Sequence, residues 1–214
     1  HGHLDSSWTA ALSQVPIQAV SDSFVWSTPI QPRSAAIVSV AAGDEHTCVI
    51  YVGGRVKCVG KADRKLVVNL GIGKLGYAST YSWGQAETLR DMPFVDLPGP
   101  AVHIMLSYFH TCAALASGQL YCWGDNSLQV LGYGTSVAAV GDDETPASVG
   151  PVPVAGHIVA AAGGYSHTCA LTREGVVRCW GLNQDGAAGI GSAVPVLSAS
   201  LAQPVPLSGP AIDI

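Results

Sequence analysis

Residues 163–181 read GGYSHTCALTREGVVRCWG, and the same pattern occurs twice earlier in the chain. The earlier copies are AGDEHTCVIYVGGRVKCVG at 42–60 and LSYFHTCAALASGQLYCWG at 106–124. The copies are spaced by 64 residues, from His46 to His110, and then by 57 residues, from His110 to His167. An apolar stretch precedes each copy. A period of this length with several short strands per unit is typical of a β-propeller blade.

Each copy predicts a β-hairpin that places its two cysteines opposite each other. A glycine falls six residues after the first cysteine, at Gly54, Gly118 and Gly175. A three-residue hairpin loop needs its third residue in the left-handed conformation, which glycine adopts at little steric cost. The two cysteine Cβ atoms are then about 4.5–5.5 Å apart, close to disulfide reach. The sequence therefore predicts three disulfides: Cys48–Cys58, Cys112–Cys122 and Cys169–Cys179.

Buried free thiols and metal ligands are the two other interpretations of the six cysteines. Zinc sites prefer close Cys-x2-4-Cys knuckles, whereas the cysteines of each pair here are ten positions apart. Disulfides persist in oxidising compartments. We therefore expect the protein to be secreted or to lie at the cell surface.

Composition excludes several classes of protein. The 214 residues are 48% hydrophobic and only 12% charged, which excludes a disordered chain. The net charge of −5 and the lack of a Lys/Arg cluster argue against a nucleic-acid partner. No apolar run reaches the length of a membrane helix, so no membrane span is expected. The 25 glycines and 13 prolines are scattered, which favours an all-β fold of short antiparallel strands joined by turns.

The repeated pattern Gly-x-x-His-Thr-Cys-Ala-Leu, followed by Cys-Trp-Gly-x-Asn-x-x-Gly, resembles the regulator of chromosome condensation repeat in an extracellular, cysteine-paired form. Residues 163–191 match it best and residues 108–134 match well. The first copy departs, because Val59 replaces the tryptophan and residues 61–73 lack the Asn-x-x-Gly turn. The resemblance implies a β-propeller of four-stranded blades, usually seven per ring.

The chain is too short for seven such blades, so the predicted architecture is an incomplete or split propeller. Residues 205–214 repeat the register that begins the third copy, and we expect them to form the first strand of a fourth unit. The predicted divisions are an N-terminal extension at 1–35, repeats at 36–98, 99–155 and 156–204, and the fourth-unit strand at 205–214.

Open blade edges need a cover, because exposed strands pair with other chains. The leading hypothesis is a non-catalytic extracellular structural protein that joins copies of itself into a filament or ring. A second hypothesis is a secreted module that binds or inhibits another extracellular protein. The resemblance also implies guanine-nucleotide exchange, against which the disulfides and the few blades argue. The candidate assembly residues are Phe24, Val25, Trp26, Ile212 and Ile214.

Residues that recur once per blade are interpreted as structural. His46, His110 and His167 suggest one hydrogen bond repeated in each blade rather than a metal-binding triad. The adjacent threonines are expected to be ordinary strand residues. Trp123 and Trp180 are predicted to pack between blades. Trp8, Trp26 and Trp83 fall outside the repeat positions and are predicted to lie at an interface, where tryptophan is enriched.

Two weak metal-binding patterns remain. His1 and His3 could bind copper through an N-terminal amine and imidazole. Asp142, Asp143 and Glu144, together with Asp125, lack the alternating ligands of a calcium loop. No catalytic residue, metal site or cofactor is predicted.

Overall fold

The computed structural model describes residues 36–62 and 73–214. The predictions that concern residues 1–35 therefore lie outside the described residues. They include the N-terminal extension, the two histidines at positions 1 and 3, Trp8, and the assembly candidates Phe24, Val25 and Trp26.

The fold is all-β and consists of three successive antiparallel blades, as the sequence predicts. In each blade the strands are hydrogen-bonded in chain order, with the first strand at one edge. Blade 1 contains β1 (Ile37–Ala42), β2 (His46–Tyr51) and β3 (Val56–Gly60). Blade 2 contains β4 (Ala101–Leu106), β5 (His110–Leu115), β6 (Leu120–Asp125) and β7 (Ala139–Val140). Blade 3 contains β8 (Ile158–Gly163), β9 (His167–Thr172) and β10 (Val177–Gly181).

Short helices occur only in the loops of the described segments. The single α-helix, α1, spans Pro146–Val149, and 3-10 turns lie at Gln184–Gly186 and Ala199–Leu201. None of the helices in the described residues has the length and apolar character needed to cross a membrane.

The hairpins contain the three predicted disulfides. Paired strands place Cys48 opposite Cys58, and the other two pairs have the same register. The paired Cα atoms are 4.0–4.1 Å apart and no cysteine is free. The third loop residues have φ of 78°, 85° and 79° at Gly54, Gly118 and Gly175. The disulfide prediction is confirmed, and free thiols and cysteine–metal coordination are excluded.

The fourth strand of each blade is reduced to one or two residues. It pairs with the glycine that follows the second cysteine by two positions, for example Gly124 with Val140 of β7. In blade 3 the pairing is Gly181 with Val196, and in blade 1 it is Gly60 with Trp83. Trp83 therefore occupies a repeat position, contrary to the prediction. The connection from Gly60 to Trp83 is longer than the equivalent connections in blades 2 and 3, so the sequence spacing does not reveal that Trp83 is the equivalent residue.

A backbone hydrogen bond joins each blade to the start of the next. The amide of Ala101 donates to the carbonyl of Gly54 at 2.9 Å, and blades 2 and 3 are joined in the same way. A third copy of this bond runs from the Ala211 amide to the Gly175 carbonyl, also at 2.9 Å. Residues 212–214 form no strand, contrary to the prediction, because no second strand lies beside them among the described residues. Ile212 is 98% exposed.

Candidate interaction surface

The contact between blades 1 and 2 is built around one backbone carbonyl. The Lys74 carbonyl accepts hydrogen bonds from Thr111 Oγ1 at 3.0 Å and from Trp123 Nε1 at 2.9 Å. His46 Nε2 lies 2.8 Å from the same Thr111 Oγ1. We call this set of His, Thr, carbonyl and Trp the inter-blade cluster.

The contact between blades 2 and 3 repeats the inter-blade cluster at equivalent positions. The Val130 carbonyl accepts from Thr168 Oγ1 at 2.8 Å and from Trp180 Nε1 at 2.9 Å. His110 Nε2 lies 2.7 Å from Thr168 Oγ1. One blade thus supplies the histidine and the carbonyl, and the next supplies the threonine and the tryptophan.

The hydrogen-bond geometry assigns the histidine tautomer. A threonine hydroxyl has one proton, and here it is donated to the loop carbonyl, so the hydroxyl accepts from His Nε2–H. His110 Nδ1 is then an acceptor, and Ser107 Oγ lies 2.6 Å from it. Burial lowers the pKa of both His46 and His110 to about 3, and the positive charge of Lys74 contributes at His46. Both rings are therefore neutral at physiological pH.

Two glycines make room for the tryptophans. A Cβ atom at Gly76 would lie 2.9 Å from Trp123 Nε1, and one at Gly132 would lie 2.7 Å from Trp180 Nε1. Both glycines also have positive φ, of 76° and 84°. Any other residue at these positions would push the tryptophan away from its carbonyl.

On the face of blade 1 that points away from blade 2, which we call the leading face, apolar side chains are exposed. Val40 is 64% exposed, whereas its counterparts Ile104 and Ala161 are 5% and 3% exposed. Ile37 is 47% exposed, whereas its counterparts in β4 and β8 are almost completely buried. Blades 2 and 3 therefore bury apolar positions that blade 1 leaves in solvent.

The threonine and tryptophan positions of blade 1 lie on the same leading face. Thr47 is partly exposed, whereas the corresponding Thr111 and Thr168 are fully buried. Val59 occupies the tryptophan position and is also partly exposed. The leading face therefore has the hydroxyl of the inter-blade cluster but lacks the indole N–H.

The face of blade 3 that points away from blade 2, the trailing face, has the other half of the cluster. His167 is partly exposed, whereas His46 and His110 are buried. Ala187, at the position of Lys74 and Val130, whose carbonyls accept the hydrogen bonds of the cluster, is exposed. Gly189, at the position of Gly76 and Gly132, is exposed too, and among the described residues a Cβ there would have only Val205 Cγ1 within 4 Å, at 3.2 Å. The trailing face therefore keeps the space that a tryptophan fills in the two internal contacts.

Three aromatic side chains cluster where the first and second strands of blades 2 and 3 connect. Phe109 lies 4.6 Å from Tyr108 and 5.0 Å from Tyr165, measured between ring centroids. Tyr165 is 61% exposed, so the cluster presents an aromatic surface with a polar hydroxyl.

A cavity of about 540 Å³ lies beside the fourth-strand position of blade 1. Tyr81 and Trp83 line it, and their ring centroids are 5.0 Å apart. Lys61 adds a cationic side chain to its wall, but Lys61 is already paired with Glu45 at 3.0 Å.

Asp142, Asp143 and Glu144 form an acidic cluster whose carboxylate oxygens lie within 4.8 Å of one another. Burial, followed by the neighbouring acids, raises the pKa of Glu144 to about 7. Asp125 lies outside this group, and its Oδ1 accepts from the Ser127 amide at 2.6 Å. Acidic side chains in such a turn do not by themselves define a metal site.

The structure brings His46 and His110 together with Trp123 and Trp180 at the blade contacts, whereas His167 lies on the trailing face. The sequence pattern predicts the threonines only as strand residues, and it does not indicate that the loop carbonyls and their adjacent glycines form the blade contacts. A signal was present: Leu-Gly-Tyr occurs at 75–77 and at 131–133, and in each case the following repeat has a tryptophan after its second cysteine.

These features define a repeat protein of β-propeller blades that are joined by a recurring polar contact. The regulator of chromosome condensation (RCC1) repeat profile matches residues 37–64, 102–129 and 158–187. A second RCC1 repeat profile matches residues 117–171. The chain belongs to the regulator of chromosome condensation repeat family.

Curated relatives are considerably longer than this chain. It is 32% identical over 150 residues to the human Regulator of chromosome condensation, which covers 70% of this chain and 34% of that protein. It is 30% identical over 172 residues to the human Probable E3 ubiquitin-protein ligase HERC6, covering 79% of this chain and 15% of that protein. The chain thus spans about a third or less of the length of these relatives.

Solved structures with the same fold include human WBSCR16, with a TM-score of 0.62, 18% identity, and coverage of 80% of this chain and 38% of that one. Prp20p from Saccharomyces cerevisiae gives a TM-score of 0.59 at 15% identity, covering 80% of this chain and 39% of that one. Prp20p is described with binding properties to Gsp1p and histones. At these identities the similarity establishes the fold, a partial propeller.

Proposed function

We propose that this chain is a non-catalytic extracellular interaction module that associates with copies of itself through its uncovered blade faces. The observation that carries the proposal is the difference in burial between equivalent positions. Val40 is 64% exposed on the leading face, whereas the same position is 5% exposed in blade 2 and 3% exposed in blade 3.

A partner that covers the leading face would bury apolar side chains, as the contacts between blades inside the chain do. Burying a whole aliphatic side chain contributes about 1.5–3 kcal/mol. Ile37 and Val40 are adjacent positions of one face, so a partner gains from both at once. The strand that carries them, β1, is also an edge strand of its sheet, with backbone groups that can pair.

A protein partner agrees with what the relatives are described as binding. Prp20p, which has the same fold, is described with Gsp1p and histones and also in a complex with Kap60. The three disulfides support a location outside the cytosol, because such bonds persist in oxidising compartments.

Sedimentation velocity of the non-reduced chain across micromolar concentrations tests self-association. The wild type should show an average mass that rises with concentration. The Val40→Asp variant should have the mass of a single chain at every concentration. Val38→Asp is the matched control: its counterpart Val102 remains 56% exposed even though blade 2 has a neighbour, so position 38 faces away from blade contacts. Wild type that sediments as a single chain at every concentration would refute self-association.

Binding of a different extracellular protein is the second candidate function, and the exposed aromatic cluster around Tyr165 favours it. Aromatic residues are enriched at the centres of protein interfaces. Capture from extracellular material by the wild type should then be lost with Tyr165→Ser and kept with Val40→Asp. Equal capture by wild type and Tyr165→Ser would refute a role for this surface.

A further inference from the structure

The two halves of the inter-blade cluster occur unpaired at opposite ends of the described blades. The trailing face of blade 3 has the histidine, the carbonyl position and the exposed glycine, at His167, Ala187 and Gly189. The leading face of blade 1 has the threonine, at Thr47, and the apolar positions that neighbouring blades cover. The two faces therefore carry complementary halves of the inter-blade cluster that joins blade 1 to blade 2 and blade 2 to blade 3.

We propose that the trailing face of blade 3 binds the leading face of blade 1 from a second copy of this chain. This inference rests on the self-association proposed above and specifies its two surfaces. In the contact, Thr47 of one copy has the position of Thr111 and Thr168 in the internal contacts. Its hydroxyl donates to the Ala187 carbonyl of the other copy and accepts from His167 Nε2–H.

The contact between copies is weaker than the internal contacts because blade 1 has Val59 in place of tryptophan. Trp123 and Trp180 each add a hydrogen bond of 2.9 Å to the shared carbonyl. The Val59 side chain has no N–H group and fills less of the space beside Gly189. The missing tryptophan therefore makes association between copies reversible, whereas the internal blade contacts are permanent.

Residues 210–214 compete with the second copy for part of the trailing face. The Ala211 amide donates to the Gly175 carbonyl at the position where Ala101 and Ile158 bind in the internal contacts. The Ile37 amide of a second copy would need this same carbonyl, because β1 has the same register as β4 and β8. The segment 210–214 must therefore leave before β1 of a second copy can dock in full register.

A contact between two different faces is heterologous. Each copy then has one free face of each kind, and growth continues until a ring closes or a filament forms. Both products are built from the same contact, and the rotation between successive copies decides between them.

Charge insertion on the trailing face tests the proposed surface. Ala187→Glu places a carboxylate beside the carbonyl, at an exposed position with ordinary backbone angles of φ −58° and ψ −24°. It should weaken self-association in sedimentation velocity at least tenfold. Gln184→Glu is the matched control, because it adds the same charge three positions earlier and because Gln184 and its counterpart Ser127 in blade 2 are both exposed.

Three changes should strengthen association. Val59→Trp supplies the missing indole N–H and should raise affinity about tenfold, equivalent to about 1.4 kcal/mol. Val59→Phe, which adds a ring without the N–H, should give a smaller gain. Deleting residues 210–214 removes the competing segment and should raise affinity by a similar factor. Val59→Trp combined with Ala187→Glu should lose the gain, which separates specific docking from nonspecific adhesion of an exposed tryptophan.

The outcomes separate this inference from the function on which it rests. If the wild type self-associates and Val40→Asp prevents it, but Ala187→Glu and the 210–214 deletion change nothing, the trailing face is not the partner surface and the inference is wrong. If Val59→Trp lacking residues 210–214 is still a single chain, both the inference and self-association are wrong. A binding partner captured only by way of Tyr165 would overturn the second copy as occupant.

Discussion

Blade 2 and the two outer blades share one repeat pattern, yet they differ in what covers them. Blade 2 has a neighbour on both sides, and its His110, Thr111 and Trp123 are completely buried. In blade 3 the equivalent histidine is partly exposed, and in blade 1 the equivalent threonine is partly exposed. The same residue is therefore a core residue or a surface residue according to whether a neighbouring blade is present. Each blade depends on its neighbours for part of its stability, as expected for a repeat protein.

The tryptophan position should show this difference most strongly. Trp123→Ala removes a fully buried indole and its hydrogen bond, and we expect a loss of about 3–5 kcal/mol in the free energy of unfolding. Val59→Ala, at the same position of blade 1, should lower it by less than about 1 kcal/mol because the side chain is already partly exposed. Urea denaturation of both variants measures the contrast, and equal losses would contradict it.

The disulfides should show no such contrast. Each closes a loop with the same sequence separation of 10 residues, so loop entropy predicts similar contributions in all blades. Replacing Cys112 and Cys122 with alanine should lower stability by about 2–5 kcal/mol, and replacing Cys48 and Cys58 should lower it by a similar amount. Thermal and urea unfolding of the two double variants provide the measurement. A much smaller loss of stability in blade 1 would mean that the contribution of a disulfide also depends on whether its blade has a neighbour on each side.

Acid should weaken the internal blade contacts. The folded-state pKa of both His46 and His110 is about 3, below the ordinary value of 6.5, so the unfolded chain binds protons more readily. The stability that the neutral rings contribute is complete above pH 6.5 and is lost as the pH falls toward 3, by about 1.4 kcal/mol per pH unit for each ring. His110→Gln should show a flatter decline between pH 7 and pH 5 in urea denaturation. An unchanged slope would contradict the assigned neutral state.

The threonine position should give a smaller contrast than the tryptophan position. Thr168→Val leaves His110 Nε2–H without its acceptor inside a buried contact, and should lower stability by about 1–3 kcal/mol. Thr47→Val, on the leading face, should change stability by no more than about 0.5 kcal/mol. A stability loss at Thr47 as large as that at Thr168 would mean that the leading face is already covered.

Local chemistry made the hairpins predictable from the sequence. Cysteine spacing and a glycine at the third loop position specify a register, and Cys112 and Cys122 pair as that register requires. The inter-blade cluster was harder to predict, because its acceptor is a backbone carbonyl. The residue at that position is Lys74 in one blade and Val130 in the next, so side-chain identity carries no information there.

The fourth strands were hidden for a different reason. Their length is one or two residues, and the connection leading to Trp83 is longer than the one leading to Val140. Periodicity cannot identify an element so short. Whether residues 212–214 form a strand likewise depends on a neighbouring strand, a tertiary property that the local pattern at 205–214 does not encode.

Mixing two chains with different blocked faces tests the central account most directly. Val40→Asp blocks the leading face and leaves the trailing face intact, whereas Ala187→Glu does the reverse. Each variant alone should sediment as a single chain at micromolar concentration. An equimolar mixture should contain a species of twice that mass and nothing larger, because only one intact contact can form. A mixture that sediments as single chains, like its components, would contradict head-to-tail association through these two faces.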